Sequence, residues 1–255
     1  MQYTLKKSLG QHFLNDVQIC LQIKAALEDA PIDQLLEIGP GAGALTQHIL
    51  DLPKQAFKAV ELDREKVAYL LHTYPQLEGK LINEDFLETA IPFEGQFTLV
   101  GNFPYNISTQ IVFRVLDWKE QVPVMIGMFQ KEVAERIAEK PGSKRYGILS
   151  VLMQAYYDIS YCFTVDEHVF DPPPKVKSGV IRCTRNERKS LPCDEKLFKQ
   201  IIKLSFGQRR KTIRNGIKTL IKDTGLESEL LALRPEVLSV EQFVELTNLV
   251  ESVQK

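Results

Sequence analysis

Short apolar runs alternate with amphipathic stretches along most of the chain before residue 188. The apolar runs predict strands at 34–38, 56–62, 81–85, 97–101 and 122–129. Apolar residues spaced three or four positions apart predict helices at 17–30, 44–50, 64–71, 108–118, 131–137 and 146–156. Strands that alternate with helices are typical of a parallel sheet covered by helices on both faces.

Two further predicted strands, 158–165 and 178–184, flank the proline-rich turn Pro172-Pro173-Pro174. No helix long enough for a crossover separates these strands, so we expect an antiparallel pair at one edge of the sheet. The sequence therefore predicts a Rossmann-like α/β sheet with an antiparallel edge strand.

Strand signals stop after residue 188, and the remaining chain predicts helices at 194–205, 210–221 and 240–250. Ser239 and Gln242 form a capping box before the last helix. We place a domain boundary near residues 186–192, with an α/β domain over 1–188 and a small C-terminal helical domain over 189–255.

Composition limits the class of protein. Hydrophobic residues make up 44% and charged residues 25% of the chain, an ordinary soluble composition that excludes a disordered protein. No apolar run approaches the ~18 residues of a membrane span, and the N-terminal residues lack the apolar core of a signal peptide. We therefore expect a cytoplasmic protein. The four cysteines show no metal-ligand spacing, so we expect free thiols and no metal.

Basic residues are concentrated in one segment, although the net charge is −1. Residues 199–222 include eight basic side chains and no acidic one, whereas the chain after Lys222 is mostly acidic. Such a segment indicates a localised site for a polyanion, and the alternative is a solvated helix face. Its cations are Lys199, Lys203, Arg209, Arg210, Lys211, Arg214, Lys218 and Lys222.

A glycine-rich turn, Gly39-x-Gly41-x-Gly43, follows the first predicted strand of the sheet. Such a turn lets the backbone approach a ligand closely, although this spacing differs from the dinucleotide-binding motif. Glu61 ends the next predicted strand. An acidic residue there accepts hydrogen bonds from ribose hydroxyls in doubly wound folds. The alternative for Glu61 is a solvent-exposed strand end.

Asp85 ends the third predicted strand and is followed by Phe86. The carboxylate can accept a hydrogen bond from an adenine amine, and the aromatic ring can cover the base. The alternative for Asp85 is a helix cap or a turn residue. Because the carboxyl ends of parallel strands meet at one rim, these residues fit an adenosine moiety. Without a pyrophosphate motif, S-adenosylmethionine fits better than a dinucleotide.

The fourth predicted strand leads into Asn102-Phe103-Pro104-Tyr105. An exocyclic adenine amine is a poor nucleophile, because its lone pair is delocalised into the ring. The side-chain oxygen of Asn102 and the backbone carbonyl of Phe103 can accept the amine hydrogens and draw them out of the plane. Pro104 constrains the turn, and Tyr105 offers a ring on which a base can stack. The alternative is a polar turn that caps the following helix.

Together these motifs resemble the ribosomal RNA adenine N6,N6-dimethyltransferases over nearly the whole chain. The matching segments are 7–14, 37–41, 60–63, 85, 102–108, 170–178 and 206–215. The resemblance implies a Rossmann-like S-adenosylmethionine-dependent methyltransferase fold with a C-terminal helical domain that binds RNA.

The resemblance also implies a role for each site residue. His12 and Leu14 would line the cofactor pocket from the N-terminal segment, although His12 stands where family members often have Asn. Phe103 stands where they often have Leu. Gly39, Gly41, Glu61, Asp85, Phe86 and Asn102 would contact the cofactor. Asn102, Phe103, Pro104 and Tyr105 would handle the target base, with Phe170 on its other face.

The implied activity is dimethylation of two adjacent adenosines near the 3′ end of small-subunit (16S) rRNA during ribosome biogenesis. The implied partner is the small ribosomal subunit, bound by a monomer. Arg209, Arg210, Lys211 and Arg214 would contact phosphates from the start of a helix. The same surface could extend to Lys6, Lys7, Lys175 and Lys177.

Three other functions stay open at this point. A related enzyme type methylates a large-subunit adenine and shares most of these motifs. A non-enzymatic RNA-binding factor would not need Glu61, Asp85 and the Asn102–Tyr105 motif intact. A DNA adenine methyltransferase shares the chemistry of that motif but not the N-terminal and Arg-rich motifs.

Overall fold

The structure is a computed structural model that describes residues 12–53 and 56–254. It contains two compact units. One comprises Met1–Ala134 and Ile159–Arg185, and the other comprises Glu135–Asp158 and Asn186–Lys255. Each unit therefore consists of two separate segments of the chain, whereas the prediction has a single boundary, at residue 188. The functional division into 1–188 and 189–255 stays a prediction.

A mixed seven-stranded sheet forms the first unit. The strands of the chain are β1 Phe13–Leu14, β2 Gln34–Ile38, β3 Ala56–Val60, β4 Leu81–Ile82, β5 Thr98–Asn102, β6 Val124–Gln130, β7 Tyr157–Val165, β8 Phe170–Asp171 and β9 Ser178–Arg185. The strand order of the seven-stranded sheet is β4-β3-β2-β5-β6-β9-β7, and a separate antiparallel pair joins β1 to β8. Strands β2 to β6 are parallel to one another, whereas β9 runs antiparallel to β6. The predicted Rossmann-like sheet with an antiparallel strand near one edge is therefore confirmed.

The central strands of this sheet are buried on both faces. Residues 35–38 of β2 and 98–101 of β5 are buried without a break, which is typical of parallel strands covered by helices on both sides. Two aspartates begin helices, since Asp16 accepts hydrogen bonds from the amides of Gln18 and Ile19, and Asp63 accepts one from Glu65. The helices are α1 Val17–Ala25, α2 Thr46–Ile49, α3 Arg64–Thr73, α4 Ser108–Asp117 and α5 Lys131–Ala138.

Helices dominate the second unit. They are α6 Ile148–Gln154, α7 Glu195–Gly207, α8 Ile213–Gly216, α9 Lys218–Ile221 and α10 Val240–Gln254. The predicted capping box of α10 is confirmed: Ser239 Oγ accepts from the Gln242 amide at 3.3 Å, and Gln242 Oε1 accepts from the Ser239 amide at 2.9 Å.

The prediction of a single helix over 210–221 is wrong. Residues 208–211 form a turn after α7, and Thr212 has extended backbone before α8 begins. Gly216 packs so closely on α7 that a Cβ added there would lie 2.9 Å from Ser205 Cα. Tertiary packing of α8 on α7 therefore overrides the local pattern, which allowed one continuous helix.

The described part of the chain contains neither a cluster of metal-ligating side chains nor a helix that could span a membrane. All four cysteines are free thiols, as predicted. Within residues 12–53 and 56–254, no three His, Cys, Asp or Glu side chains cluster as metal ligands would. None of the helices described there is both long and apolar enough to cross a bilayer.

Candidate active site

A cavity of about 250 Å³ opens at the carboxyl ends of β2, β3 and β5. Ligands of open α/β sheets bind at this edge. The structure brings nearly all of the predicted cofactor-binding and catalytic residues to the cavity wall. They are His12, Leu14, Gly39, Gly41, Glu61, Asp85, Phe86, Asn102, Phe103, Pro104 and Tyr105.

Among the predicted cofactor-binding and catalytic residues, Phe170 is the one that the structure does not bring to this cavity. It lies in β8, opposite Leu14 of β1, and its side chain is 3% exposed within the apolar core. A role for Phe170 in stacking on a base stays a prediction.

The glycine turn adopts a backbone that favours glycine. Gly39 and Gly41 have φ of 65° and 58°, in the left-handed region. A Cβ added at Gly41 would also lie 3.0 Å from the Phe13 ring. The Gly39 amide donates to the Val60 carbonyl at 2.9 Å, which joins the turn to the end of β3. The turn therefore presents bare backbone to the cavity.

Glu61 links the glycine turn to the loop after β3. Its Oε2 accepts from the Gly41 amide at 3.0 Å, and its Oε1 accepts from the Asp63 amide at 2.9 Å. The side chain is buried, so Glu61 is not the solvent-exposed strand end of the alternative interpretation. Burial raises the pKa of Glu61, and the two amide hydrogen bonds oppose that rise. Each carboxylate oxygen keeps a lone pair for a ligand hydroxyl.

Asp85 lies in the loop beyond β4, and not at a strand end as predicted. The strand ends at Ile82, and the Asn83 side chain turns back to donate to the Glu61 carbonyl at 2.8 Å. Asp85 Oδ1 accepts from the Leu87 amide at 2.9 Å, so Asp85 caps a turn and also lines the cavity. Its neighbour Phe86 is buried, with its ring edge-on to Trp118.

Glu37, which the sequence analysis did not select, is a further candidate. Its side chain lines the cavity and is 1% exposed, and Oε2 accepts no hydrogen bond from any described residue. Burial raises the pKa of Glu37 to about 8, and the nearby Glu61 adds to the rise. A buried carboxyl oxygen without a hydrogen-bond donor favours a cationic ligand group, which would lower that pKa. The signal was present in the sequence: an acidic residue interrupts the apolar strand Leu35–Ile38 just before the glycine turn.

Asn102 ends β5 with its amide oriented by the N-terminal segment. Its Nδ2 donates to the His12 carbonyl at 3.3 Å, which leaves Oδ1 as an acceptor in the cavity. The His12 ring is held in turn, because its Nδ1 donates to the Pro172 carbonyl at 2.7 Å.

Phe103 contributes its backbone, rather than its side chain, to the candidate site. Its amide donates to the Met128 carbonyl at 3.1 Å, and its ring is buried edge-on against Phe129, with 5.0 Å between ring centroids. Glycines make room for the ring: a Cβ added at Gly127 would lie 2.3 Å from it. The buried ring anchors the turn, and the Phe103 carbonyl remains the group of this residue that can act on a base.

Tyr105 is held at its hydroxyl and on one ring face. The hydroxyl shares a hydrogen bond of 2.5 Å with Ser178 Oγ, and burial raises the pKa of Tyr105. The His12 ring stacks on Tyr105, with 5.6 Å between centroids and 29° between planes. The tyrosine ring therefore has a defined orientation at the cavity.

The predicted phosphate-binding residues differ in their surroundings. Arg214 pairs with Glu227 at 3.0 Å, and Arg209 donates to the Ser143 carbonyl at 3.2 Å. Arg210 and Lys211 are exposed in the turn after α7. The prediction that these residues begin a helix is wrong for all but Arg214, which lies in α8.

Two lysine pairs were predicted to extend the phosphate-binding surface. Lys177 forms an ion pair with Asp166, and Lys175 is exposed. Lys6 and Lys7 lie outside the described residues.

This fold and this cavity are those of a Rossmann-like methyltransferase. The family model of the ribosomal RNA adenine dimethylases matches residues 2–251, so the chain belongs to that family. The family resemblance inferred from the sequence is thereby confirmed.

Individual relatives agree with this family. The chain is 57% identical over 246 residues to the ribosomal RNA small subunit methyltransferase A of Parabacteroides distasonis, covering 95% of this chain and 92% of the relative. A dimethyladenosine transferase from Plasmodium falciparum has the same fold, with a TM-score of 0.80 and 21% identity over 95% of this chain and 98% of that one. The 23S rRNA methyltransferase ErmE also shares the fold, with a TM-score of 0.68 and 24% identity over 92% and 99% of the two chains.

Proposed function

We propose that this protein transfers methyl groups from S-adenosylmethionine to N6 of two adjacent adenosines near the 3′ end of small-subunit (16S) rRNA during ribosome biogenesis. The product is N6,N6-dimethyladenosine. The observation that carries the proposal is that Asn102 and Tyr105 line the same cavity as the glycine turn, Glu37 and Glu61. The 57% identity to a ribosomal RNA small subunit methyltransferase A supports the choice of RNA.

The cavity fits S-adenosylmethionine group by group. The buried Glu37 carboxyl group, with its unused Oε2, suits the ammonium of the methionine part. The bare backbone of Gly39 and Gly41 would admit the methionine chain, and Leu14 and His12 line the same cavity. Glu61 would accept from ribose hydroxyls. Asp85 would accept from the adenine amine, and Phe86 would cover the ring. S-adenosylmethionine, when bound, supplies an electrophilic methyl group.

The residues after β5 would handle the target base. Asn102 Oδ1 and the Phe103 carbonyl accept the amine hydrogens, and the nitrogen lone pair then becomes available for methylation. The hydrogen bond from Asn102 Nδ2 to His12 keeps the amide oxygen in the accepting orientation. His12 stacks on one face of Tyr105, and the target base would stack on the other face. Pro104 constrains the turn between these groups.

The same proposal assigns different roles to two parts of the chain. Residues 1–188 would carry the methyl-transfer chemistry, and residues 189–255 would contact RNA through Arg209, Arg210, Lys211 and Arg214. The protein would act as a monomer in the cytoplasm and would need no metal.

A methyl-transfer assay tests the proposal. Labelled S-adenosylmethionine is supplied with unmethylated small subunits, free small-subunit RNA or large-subunit RNA, and the methylated positions are mapped. We expect label on two adjacent adenosines of the small subunit, and none with Asn102→Ala. Label confined to a large-subunit adenine would contradict the substrate, and no label on any RNA would contradict the activity.

A further inference from the structure

A short loop in the second unit carries exposed cations that the function above leaves without a role. Residues 139–147 connect α5 to α6 and include Lys140, Lys144 and Arg145, all exposed. Arg145 pairs with Glu135 at 3.1 Å. No ion pair joins Lys140 or Lys144 to a described residue, so both ammonium groups are available to a ligand.

Arg209 joins this loop to the basic turn that follows α7. Its Nη2 donates to the Ser143 carbonyl at 3.2 Å, although residues 143 and 209 are 66 positions apart. Arg209 is therefore partly buried, while its neighbours Arg210 and Lys211 are exposed. Two basic segments that are distant in sequence thus become adjacent in the folded unit.

The loop is also anchored at both of its ends. The Gln154 side chain donates to the Glu139 carbonyl at 2.8 Å, and the Gly142 amide donates to the Glu236 carbonyl at 2.7 Å. Tyr146 is fully buried, with its ring edge-on to Phe206. A loop held in this way loses little conformational freedom when it binds a ligand.

We propose that Lys140 and Lys144 form one phosphate-binding surface with Arg210 and Lys211, and that this surface binds the RNA backbone. Arg209 is a positioning residue within it, because it ties the loop to the turn. Lysines act on phosphates as point charges and carry no base information, so the surface contributes affinity and orientation rather than sequence choice. This inference rests on the proposed function and names additional residues for its RNA contact.

The test uses the full-length K140A/K144A variant with unmethylated small subunits at several salt concentrations. Each phosphate contact adds somewhat less than one unit to the slope of log affinity against log salt. We expect weaker binding and a slope lowered by one to somewhat less than two units, about what two lost contacts remove. The melting temperature and S-adenosylmethionine affinity should stay at wild-type values.

Lys189 and Lys196 provide a matched control in the same unit. Both are exposed, and Lys196 lies near the start of α7, roughly 16 Å from its end at about 1.5 Å per residue. The K189A/K196A variant removes the same charge and should keep the wild-type slope. Equal decreases of the salt slope in the two variants would show a general charge effect and overturn the proposed phosphate-binding surface.

A second comparison isolates the positioning role of Arg209. R209A should lower the salt slope by more than the loss of one phosphate contact would, because the loop loses its hydrogen bond to Arg209 as well. Combining it with K140A/K144A should then lower the slope by less than the sum of the separate changes. Additive changes would overturn the link between loop and turn.

The outcomes separate this inference from the proposed function. Wild-type protein that neither binds nor methylates small subunits would overturn both. Wild-type protein that methylates them, with an unchanged slope in K140A/K144A, would overturn the phosphate-binding surface alone.

Discussion

The side-chain amide of Asn102 donates to the backbone carbonyl of His12 at 3.3 Å, across 90 positions of sequence. This hydrogen bond joins the N-terminal segment to the end of β5 and decides which amide atom is free to act. The nitrogen is engaged, so the oxygen is the atom available to a ligand. His12 is therefore part of the candidate catalytic site as well as of the candidate cofactor pocket.

Asn102→Ala should abolish methylation while the fold survives. Removal of the acceptor leaves the amine lone pair in the ring, and loss of one preorganised polar group costs about 100-fold or more in turnover. Little apolar area changes, so the melting temperature should stay close to that of the wild type. The matched control is Asn248→Ala, an exposed asparagine of the second unit. Near-normal turnover in a folded Asn102→Ala protein would remove the role assigned to this residue.

Glu61→Ala and Asp85→Ala should each weaken S-adenosylmethionine binding by about 1–3 kcal/mol, because a buried donor of the ligand loses its acceptor. Glu61→Ala should also lower the melting temperature, since the amides of Gly41 and Asp63 lose their partner. Calorimetric titration measures the affinity, with the exposed Glu78→Ala as control. Unchanged affinity in both variants would mean that the cofactor binds elsewhere.

Glu37 should make the ligand-free protein less stable as pH rises. Burial raises its folded-state pKa to about 8 from 4.5, so the folded state binds more protons than the unfolded state between these values. The free energy of unfolding therefore falls from about pH 4.5 to pH 8 and levels off above. Glu61, whose pKa is also raised, acts in the same direction. Glu37→Gln should remove the Glu37 part of this slope, as measured by denaturant unfolding across the range.

The same carboxyl group should release a proton when S-adenosylmethionine binds near neutral pH. An ammonium group beside Glu37 lowers its pKa, so a group protonated in the free protein becomes ionised in the complex. Titration calorimetry in buffers of different ionisation enthalpy measures this proton release. Equal proton release in Glu37→Gln and wild type would show that Glu37 does not face the cation.

Replacement of Arg209, Arg210, Lys211 and Arg214 together by alanine should weaken small-subunit binding and leave S-adenosylmethionine affinity unchanged. The single variants should differ. Arg210→Ala and Lys211→Ala should each lower the salt slope by somewhat less than one unit. Arg214→Ala should lower it less, because Glu227 already pairs with that guanidinium. Binding measured at several salt concentrations beside a melting curve checks this order, and four equal slopes would contradict it.

Local sequence was sufficient for the sheet and for most of the site. The alternation of apolar runs and amphipathic stretches follows from strand and helix periodicity, so it placed every strand of the parallel sheet to within a few residues. The glycine turn, Glu61, Asp85 and Asn102–Tyr105 could be selected because parallel strands bring their carboxyl ends to one rim. Glu37 was not predicted as a site residue, because an acidic residue within an apolar run indicates burial but not what the residue binds.

Contacts between distant segments were decided by tertiary structure alone. Residues 210–221 have the periodicity of one helix, but Arg210 and Lys211 lie in a turn, and Gly216 packs against Ser205 of α7. Pairing of β1 with β8 buries Phe170 in the core, where no local pattern would place it. The Arg209 bond to Ser143 and the Asn102 bond to His12 join residues far apart in sequence.

The sequence by itself determined which chemical groups this protein carries, the order of its strands and helices along the chain, and the family to which its motifs belong. Tertiary structure decided which of those groups are buried, paired or free, and therefore which can act. The physical reason is range: periodicity and turn chemistry act over a few residues, whereas burial, hydrogen bonding and charge pairing depend on segments that meet only in the folded chain.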